Sequence, residues 1–206
     1  QKVSENPHDF QKKILVNNIS VSKKTVFGQK HNFRKIQSYE DFKEEIPIRE
    51  YHELKHYIDL SKNQKKNILW PGKTKWFAKS SGTTQNKSKF IPVTKEALHY
   101  CHFEAGRDML SIYLNNHPNS KILNGKSLMI GGSTKINKSN SYYSGDVSGI
   151  IIQNLPAWVQ LKRSPSIKTA LLGDWEKKIQ HIIKETIAQN ITNISGVPSW
   201  TMLIIE

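Results

Sequence analysis

The stretch Ser80-Ser81-Gly82-Thr83-Thr84-Gln85-Asn86-Lys87-Ser88-Lys89 lies between two apolar runs, Trp76-Phe77-Ala78 and Phe90-Ile91-Pro92-Val93. Short apolar runs of this kind, separated by glycine and hydroxyl residues, predict two strands joined by a loop. The loop's composition suits a polyphosphate. Gly82 permits close backbone approach, while amides and the hydroxyls of Ser80, Ser81, Thr83 and Thr84 can donate to phosphate oxygens. Lys87 and Lys89 supply compensating charge. The Walker loop is a different object, because it needs a spaced Gly-Lys-Ser/Thr with a helix directly behind it. A plain turn has a similar composition, so the loop alone leaves both readings open.

Outward from the loop, strands and helices alternate. Before it, Phe10, Ile14, Leu15 and Ile19 fall near helical spacing behind Pro7, predicting a helix over 8–21. Gly28 is read as a turn in a polar loop. Residues 39–45 and 49–60 are read as two short helices parted by Pro47, with 62–66 a hydrophilic connector. After the loop, Thr94 is placed to cap a helix of about twenty residues. Leu98, Cys101, Ala105, Met109 and Ile112 form its expected core stripe. Ser127 to Ile130 predicts a buried strand ended by Gly131-Gly132, and the polar residues 133–144 a mobile surface loop. Residues 174–189 predict an amphipathic helix with Trp175, Ile179, Ile182, Ile183 and Ile187 inside. A strand over 191–195 and a helix opened by Pro198 complete the order. The class is α/β.

Composition narrows the function. The 206 residues suffice for one sizeable core or two small ones. No apolar run approaches the length needed to span a membrane, and no signal-peptide core opens the chain. Cys101 is the only cysteine, so an internal disulfide is excluded and a reducing cytoplasm is the simplest setting. The net charge of +14 invites a nucleic-acid reading. Against it, Arg34, Arg49, Arg107 and Arg163 are the only arginines, and the lysines are spread along the chain. We therefore expect no nucleic-acid partner; the surplus charge can help recruit an anionic substrate.

Ser-Ser-Gly-Thr-Thr followed by Lys-Ser-Lys-Phe-Ile-Pro-Val-Thr resembles the nucleotide loop of the Gretchen Hagen (auxin-responsive promoter) family of acyl-acid amido synthetases, within the adenylate-forming superfamily. Further landmarks run in order along the chain. Upstream are Thr25-Val26-Phe27-Gly28, Asp41-Phe42 with Ile46-Pro47-Ile48, and Leu69-Trp70-Pro71-Gly72. Downstream are Gly145-Asp146-Val147-Ser148, Leu155-Pro156-Ala157-Trp158 and Ser195-Gly196-Val197-Pro198-Ser199-Trp200, most similar to the bacterial branch. The resemblance implies an incomplete N-terminal part of a luciferase-like large domain over residues 1–206. Family members are more than twice as long. Two further nucleotide motifs, for adenine with magnesium and for ribose, and a small C-terminal domain are expected beyond this stretch. The chain is thus read as a fragment without activity of its own.

The reaction implied is attack of a carboxylate on the α-phosphate of ATP, with Mg2+ as cofactor, then capture of the acyl-adenylate by an amino acid to form an amide. Such chemistry rests on positioning and charge stabilisation and needs no protein nucleophile. By resemblance, Ser80, Ser81, Gly82, Thr83, Thr84 and Lys87 bind nucleotide, and Lys89 is the catalytic cation for departing pyrophosphate. Gly196, Val197, Pro198 and Trp200 wall the acyl pocket, Gly196 leaving room for the ligand. Asp146 lies near it, and Arg107 is placed to meet the substrate carboxylate. Trp200 as core, Asp146 as a turn cap and Arg107 as a surface ion-pair partner are the structural alternatives. Two other functional classes compete with the synthetase. A nucleotide-binding or scaffold module without catalysis is the first. The second is a zinc hydrolase, because His52-Glu53-Leu54-Lys55-His56 spells H-E-x-x-H. No third ligand follows at a recognised spacing, and we expect no metal there.

Overall fold

Locally capped helices make up one unit of the computed structural model, residues 1–75 with 140–142; strands organise the other, 76–139 with 143–206. The structure describes residues 2–80, 88–131 and 136–205. In the first unit, α1 (Lys2–Glu5) precedes α2 (Pro7–Ser22), whose proline occupies the first turn where its missing N–H costs nothing. Residue 28 corrects the sequence reading. Gly28 lies inside a short helix, α3 (Val26–Lys30), rather than at a loop turn. The Thr25 hydroxyl accepts from the Gly28 amide at 3.0 Å and donates to the Ser22 carbonyl at 2.7 Å, which nucleates the turn. A Cβ on Gly28 would meet the Ser22 carbonyl oxygen at 2.3 Å, so packing demands the glycine. Reciprocal capping boxes start α4 (Tyr39–Glu45), through Ser38 and Asp41, and α5 (Tyr51–Lys62), through Glu50 and Glu53. The core gathers Ile19, Phe33 and Ile36, with Leu15, Phe27, Phe42 and Ile46 packed against them.

In the second unit, β1 (Trp76–Lys79) and β2 (Phe90–Val93) pair antiparallel, with Trp76 opposite Val93 and Lys79 opposite Phe90. Thr94 caps the following helix by accepting from the Ala97 amide at 3.1 Å. That helix begins as a π-helical segment, Ala97–Phe103, and continues as α6 (Glu104–Asn116). Its expected core stripe fails after one turn: Leu98 is buried, but Cys101, Met109 and Ile112 are exposed. Then come β3 (Lys126–Ile130), β4 (Asn137–Lys138) and β5 (Tyr143–Gly145). Two short strands therefore occupy part of the span read as a surface loop. The chain continues through α7 (Val147–Asn154), α8 (Ala157–Leu161), β6 (Arg163–Ser164) and α9 (Ile167–Ala170). It closes with α10 (Trp175–Thr186), β7 (Ile191–Gly196) and α11 (Pro198–Ile205).

Two sheets result. One has the order β2-β1-β5-β4, with β5 parallel to β1; the other is β6-β3-β7, all parallel. Trp76, Ala78, Val93, Leu98 and Ile150 form one core, and Leu128, Ile130 and Ile182 another. On α10 the inward face also differs from expectation. Lys178 and Ile182 are fully buried, whereas Ile183 and Ile187 are exposed.

Candidate functional site

The hydroxyl-rich loop between β1 and β2 is anchored by its two ends. The Ser80 amide donates to the Lys89 carbonyl at 3.0 Å, and the Lys89 amide donates to the Ser80 hydroxyl at 3.2 Å. One more pair beyond Lys79 and Phe90 thus continues the β1–β2 ladder before the chain departs. Ser81, Gly82, Thr83, Thr84 and Lys87 lie outside the described residues. Lys89 is exposed at the head of β2.

β1 runs parallel to β5 with Ala78 opposite Gly145. Ser80 and Asp146 therefore leave the same edge of the sheet, the carboxyl-terminal ends of two parallel strands. Ligands of open α/β sheets bind at such edges. Asp146 is exposed and precedes the first turn of α7, with no hydrogen bond from the helix amides to its carboxylate.

The second sheet presents a matching edge. Ile130 of β3 pairs with Gly196 of β7, so Gly131 and Val197 leave it together. Gly196, Val197 and Pro198 are exposed where β7 turns into α11. A Cβ on Gly196 would lie 2.8 Å from the Ile130 carbonyl oxygen. The absence of a side chain there admits the neighbouring strand's backbone. Trp200 is partly buried, its ring 5.5 Å from that of Trp175 and packed against the Leu128, Ile130 and Ile182 core.

At the end of β3 lies a residue that sequence reasoning missed. Lys178, on α10, has no solvent exposure, and its ammonium donates to the Gly131 carbonyl at 2.9 Å. Burial pushes its pKa down to about 8, against the pull of Asp146. The readable signal was positional: Trp175, Lys178 and Ile182 are spaced three and four apart on one helical face.

The remaining candidates sit elsewhere. Arg107 is exposed on α6, with its guanidinium 3.1 Å from the Asp108 carboxylate and 4.0 Å from Glu104. In the H-E-x-x-H segment, the Glu53 carboxylate accepts from the Glu50 amide at 2.7 Å, and His52 lies 3.2 Å from Glu50. The His56 ring lies against that of Tyr57. Among the described residues, no three His, Cys, Asp or Glu side chains come together as a metal would need. None of the described helices is long and apolar enough to cross a membrane.

A family model described as the GH3 family N-terminal domain matches residues 1–203. Among solved structures, the chain is similar to a GH3.15 acyl acid amido synthetase at 18% identity and a TM-score of 0.65. The match covers 84% of this chain and 30% of that one. It is similar also to AtGH3.15 acyl acid amido synthetase in complex with 2,4-DB, at 21% identity and a TM-score of 0.62, with the same coverage. At these identities the likeness concerns the fold. The chain thus spans about 30% of the length of the synthetases it matches. No curated protein matches it.

Proposed function

Because this chain belongs to the GH3 family, matching its N-terminal domain over residues 1–203, we propose that it forms part of an ATP-dependent acyl-acid amido synthetase. In this reading a carboxylic acid is activated as its adenylate and then joined to an amino acid. The observation that carries it is the Ser80–Lys89 clasp at the mouth of the β1–β2 loop, on the same sheet edge from which Asp146 leaves the parallel neighbour β5. The clasp fixes both ends of a hydroxyl-rich loop at a sheet edge where phosphates can be received.

Each residue then has a defined task. Ser80 shapes the mouth of the loop, and Ser81 to Thr84 donate to phosphate oxygens. Lys89, with Lys87 nearby in sequence, offsets charge that grows on the departing pyrophosphate. Gly196, Val197, Pro198 and Trp200 border the acyl group, with Asp146 beside them; Arg107 can serve there only by leaving Asp108 and Glu104. One relative was solved with 2,4-DB, itself a carboxylic acid, which supports a small acyl acid as the first substrate. Magnesium accompanies ATP in such chemistry. We place the protein in the cytoplasm, in keeping with its single cysteine.

The test is carboxylate-dependent release of pyrophosphate from ATP, measured in a protein that carries this domain at the length of its relatives. Lys89→Ala should lower the rate by roughly a hundred- to thousand-fold, the usual effect of removing one well-placed charged donor. Lys66→Ala, outside the loop, should change it little. If both variants release pyrophosphate at the wild-type rate with saturating ATP, the phosphate role of Lys89 is wrong. If no carboxylate stimulates release at all, the synthetase reading falls and a binding module without catalysis takes its place.

A further inference from the structure

At the carboxyl-terminal edge of the second sheet, a buried lysine meets the chain as it leaves β3. Lys178 reaches from α10 to the Gly131 carbonyl, immediately after β3, at 2.9 Å. The first turns of α7 lean on the same glycine: a Cβ there would lie 3.4 Å from both the Ser148 hydroxyl and the Ile152 side chain. Asp146, immediately before α7, is the charged group that acts on the ammonium from an element other than its own. On the far side, Gly131 follows Ile130, the partner of Gly196. One buried cation therefore bonds the end of β3, against which α7 packs, and through the strand pair bears on the start of the Gly196–Pro198 segment.

We propose that Lys178 is a positioning residue for the acyl substrate: its ammonium holds the Gly131 carbonyl in place and so sets the backbone of the paired strand end at Gly196. The proposal rests on the acyl-site reading of Gly196 and Asp146. Three features favour it over a purely structural lysine. A buried ammonium is costly where an apolar residue would pack, so its presence calls for a partner that needs charge. One partner is the Gly131 carbonyl, which lies at a strand end where ligands approach rather than within a ladder. The site also has to accept a carboxylate, which a nearby positive charge favours.

A lysine held near pH 8 loses its proton well below the range of an ordinary one, so the device can be switched without mutation. In the 206-residue chain with 13C- and 15N-labelling, one lysine should titrate with a midpoint near 8 and vanish from the spectrum of Lys178→Met. The amides of Gly131 and Gly196 should shift with that same midpoint. If either amide ignores it, or if Lys178→Met leaves both amides unchanged, the proposal is overturned. The second arm uses the pyrophosphate assay. In the wild type, KM for 2,4-DB as probe carboxylate should rise about tenfold as pH passes through 8, as expected for losing a charge-assisted contact, while kcat changes less. Lys178→Met should show the high KM at all pH values, and Lys178→Arg the low one, without the inflection. An active Lys178→Met enzyme with wild-type KM would refute the positioning role and leave the synthetase reading intact. Absence of all carboxylate-dependent release would refute the synthetase reading and, with it, the acyl-positioning role, even if the amides titrate as expected.

Discussion

Gly196→Ala separates two accounts of the same glycine, room for a ligand against room for a neighbouring strand. The added methyl would stand 2.8 Å from the Ile130 carbonyl oxygen and 2.9 Å from its Cβ. The first of these contacts is backbone, held in the β3–β7 ladder, so it cannot rotate away. Overpacking of this kind costs about 1–3 kcal/mol. Against it stands the lower chain entropy of alanine in the unfolded state, about 0.4–1 kcal/mol in favour of the variant. Crowding wins, leaving a net loss of about 1–2 kcal/mol. With a urea dependence of about 2 kcal/mol per molar, the midpoint should fall by about 0.5–1 M. Gly106→Ala, within α6 of the same unit, is the control, because nothing lies within 4 Å of its Cβ. There the helical preference for alanine should raise stability by up to about 1 kcal/mol. Equilibrium unfolding followed by tryptophan fluorescence reads both. If Gly196→Ala unfolds at or above the wild-type midpoint while Gly106→Ala behaves as stated, the space beside Gly196 is open and the packing account is wrong.

Two further predictions concern pH. Burial alone would raise the Glu185 carboxyl, but hydrogen bonds from the Thr169 hydroxyl and from the Ser166 amide and hydroxyl outweigh it and hold the group below its usual range. The stability so gained is present above the ordinary carboxylate range and is lost as pH falls through the folded pKa. Glu185→Gln should therefore cost about 1 kcal/mol at pH 7, shrinking towards nothing in acid, in urea titrations at several pH values. His31 is buried beside Phe27, and burial, helped by Arg49 and Lys30, pulls its pKa below 6.5 despite contact with the Glu45 carbonyl. Here the unfolded state binds the proton more readily. Stability of the helical unit should fall as pH drops below about 6.5, and His31→Phe should flatten that slope; an unchanged slope would refute the assignment.

Elements with strong local signals were legible in the sequence. Pro7, Thr94 and the apolar flanks of the loop each fixed an end or a strand by chemistry within a few residues. The misses have non-local or register causes. β5 is Tyr-Ser-Gly, with no strand signature, and exists because it pairs with β1 and β4. The stripe from Leu98 to Ile112 assumed about 3.6 residues per turn, but the π-helical segment takes more residues per turn and rotates α6 away from the Leu98 face. Lys178 was passed over because a lysine is counted as surface by default. For the site, the loop and the Gly196 segment stood out by composition and resemblance. The Lys178–Gly131 contact required coordinates, since its members come from two distant stretches.

The order of the β6-β3-β7 sheet has a consequence for how the chain emerges during synthesis. β1 and β2 can zip together as soon as both are made, because only the loop separates them. β3 must wait, since both of its neighbours come later, and the longer ladder is with β7. Until residues 191–196 have left the ribosome, β3 keeps one edge without its partner, and the hydrophobic cover formed by Ile182 and Ile191 is incomplete. Nascent chains stalled in that interval should be the ones most prone to aggregate or to engage chaperones.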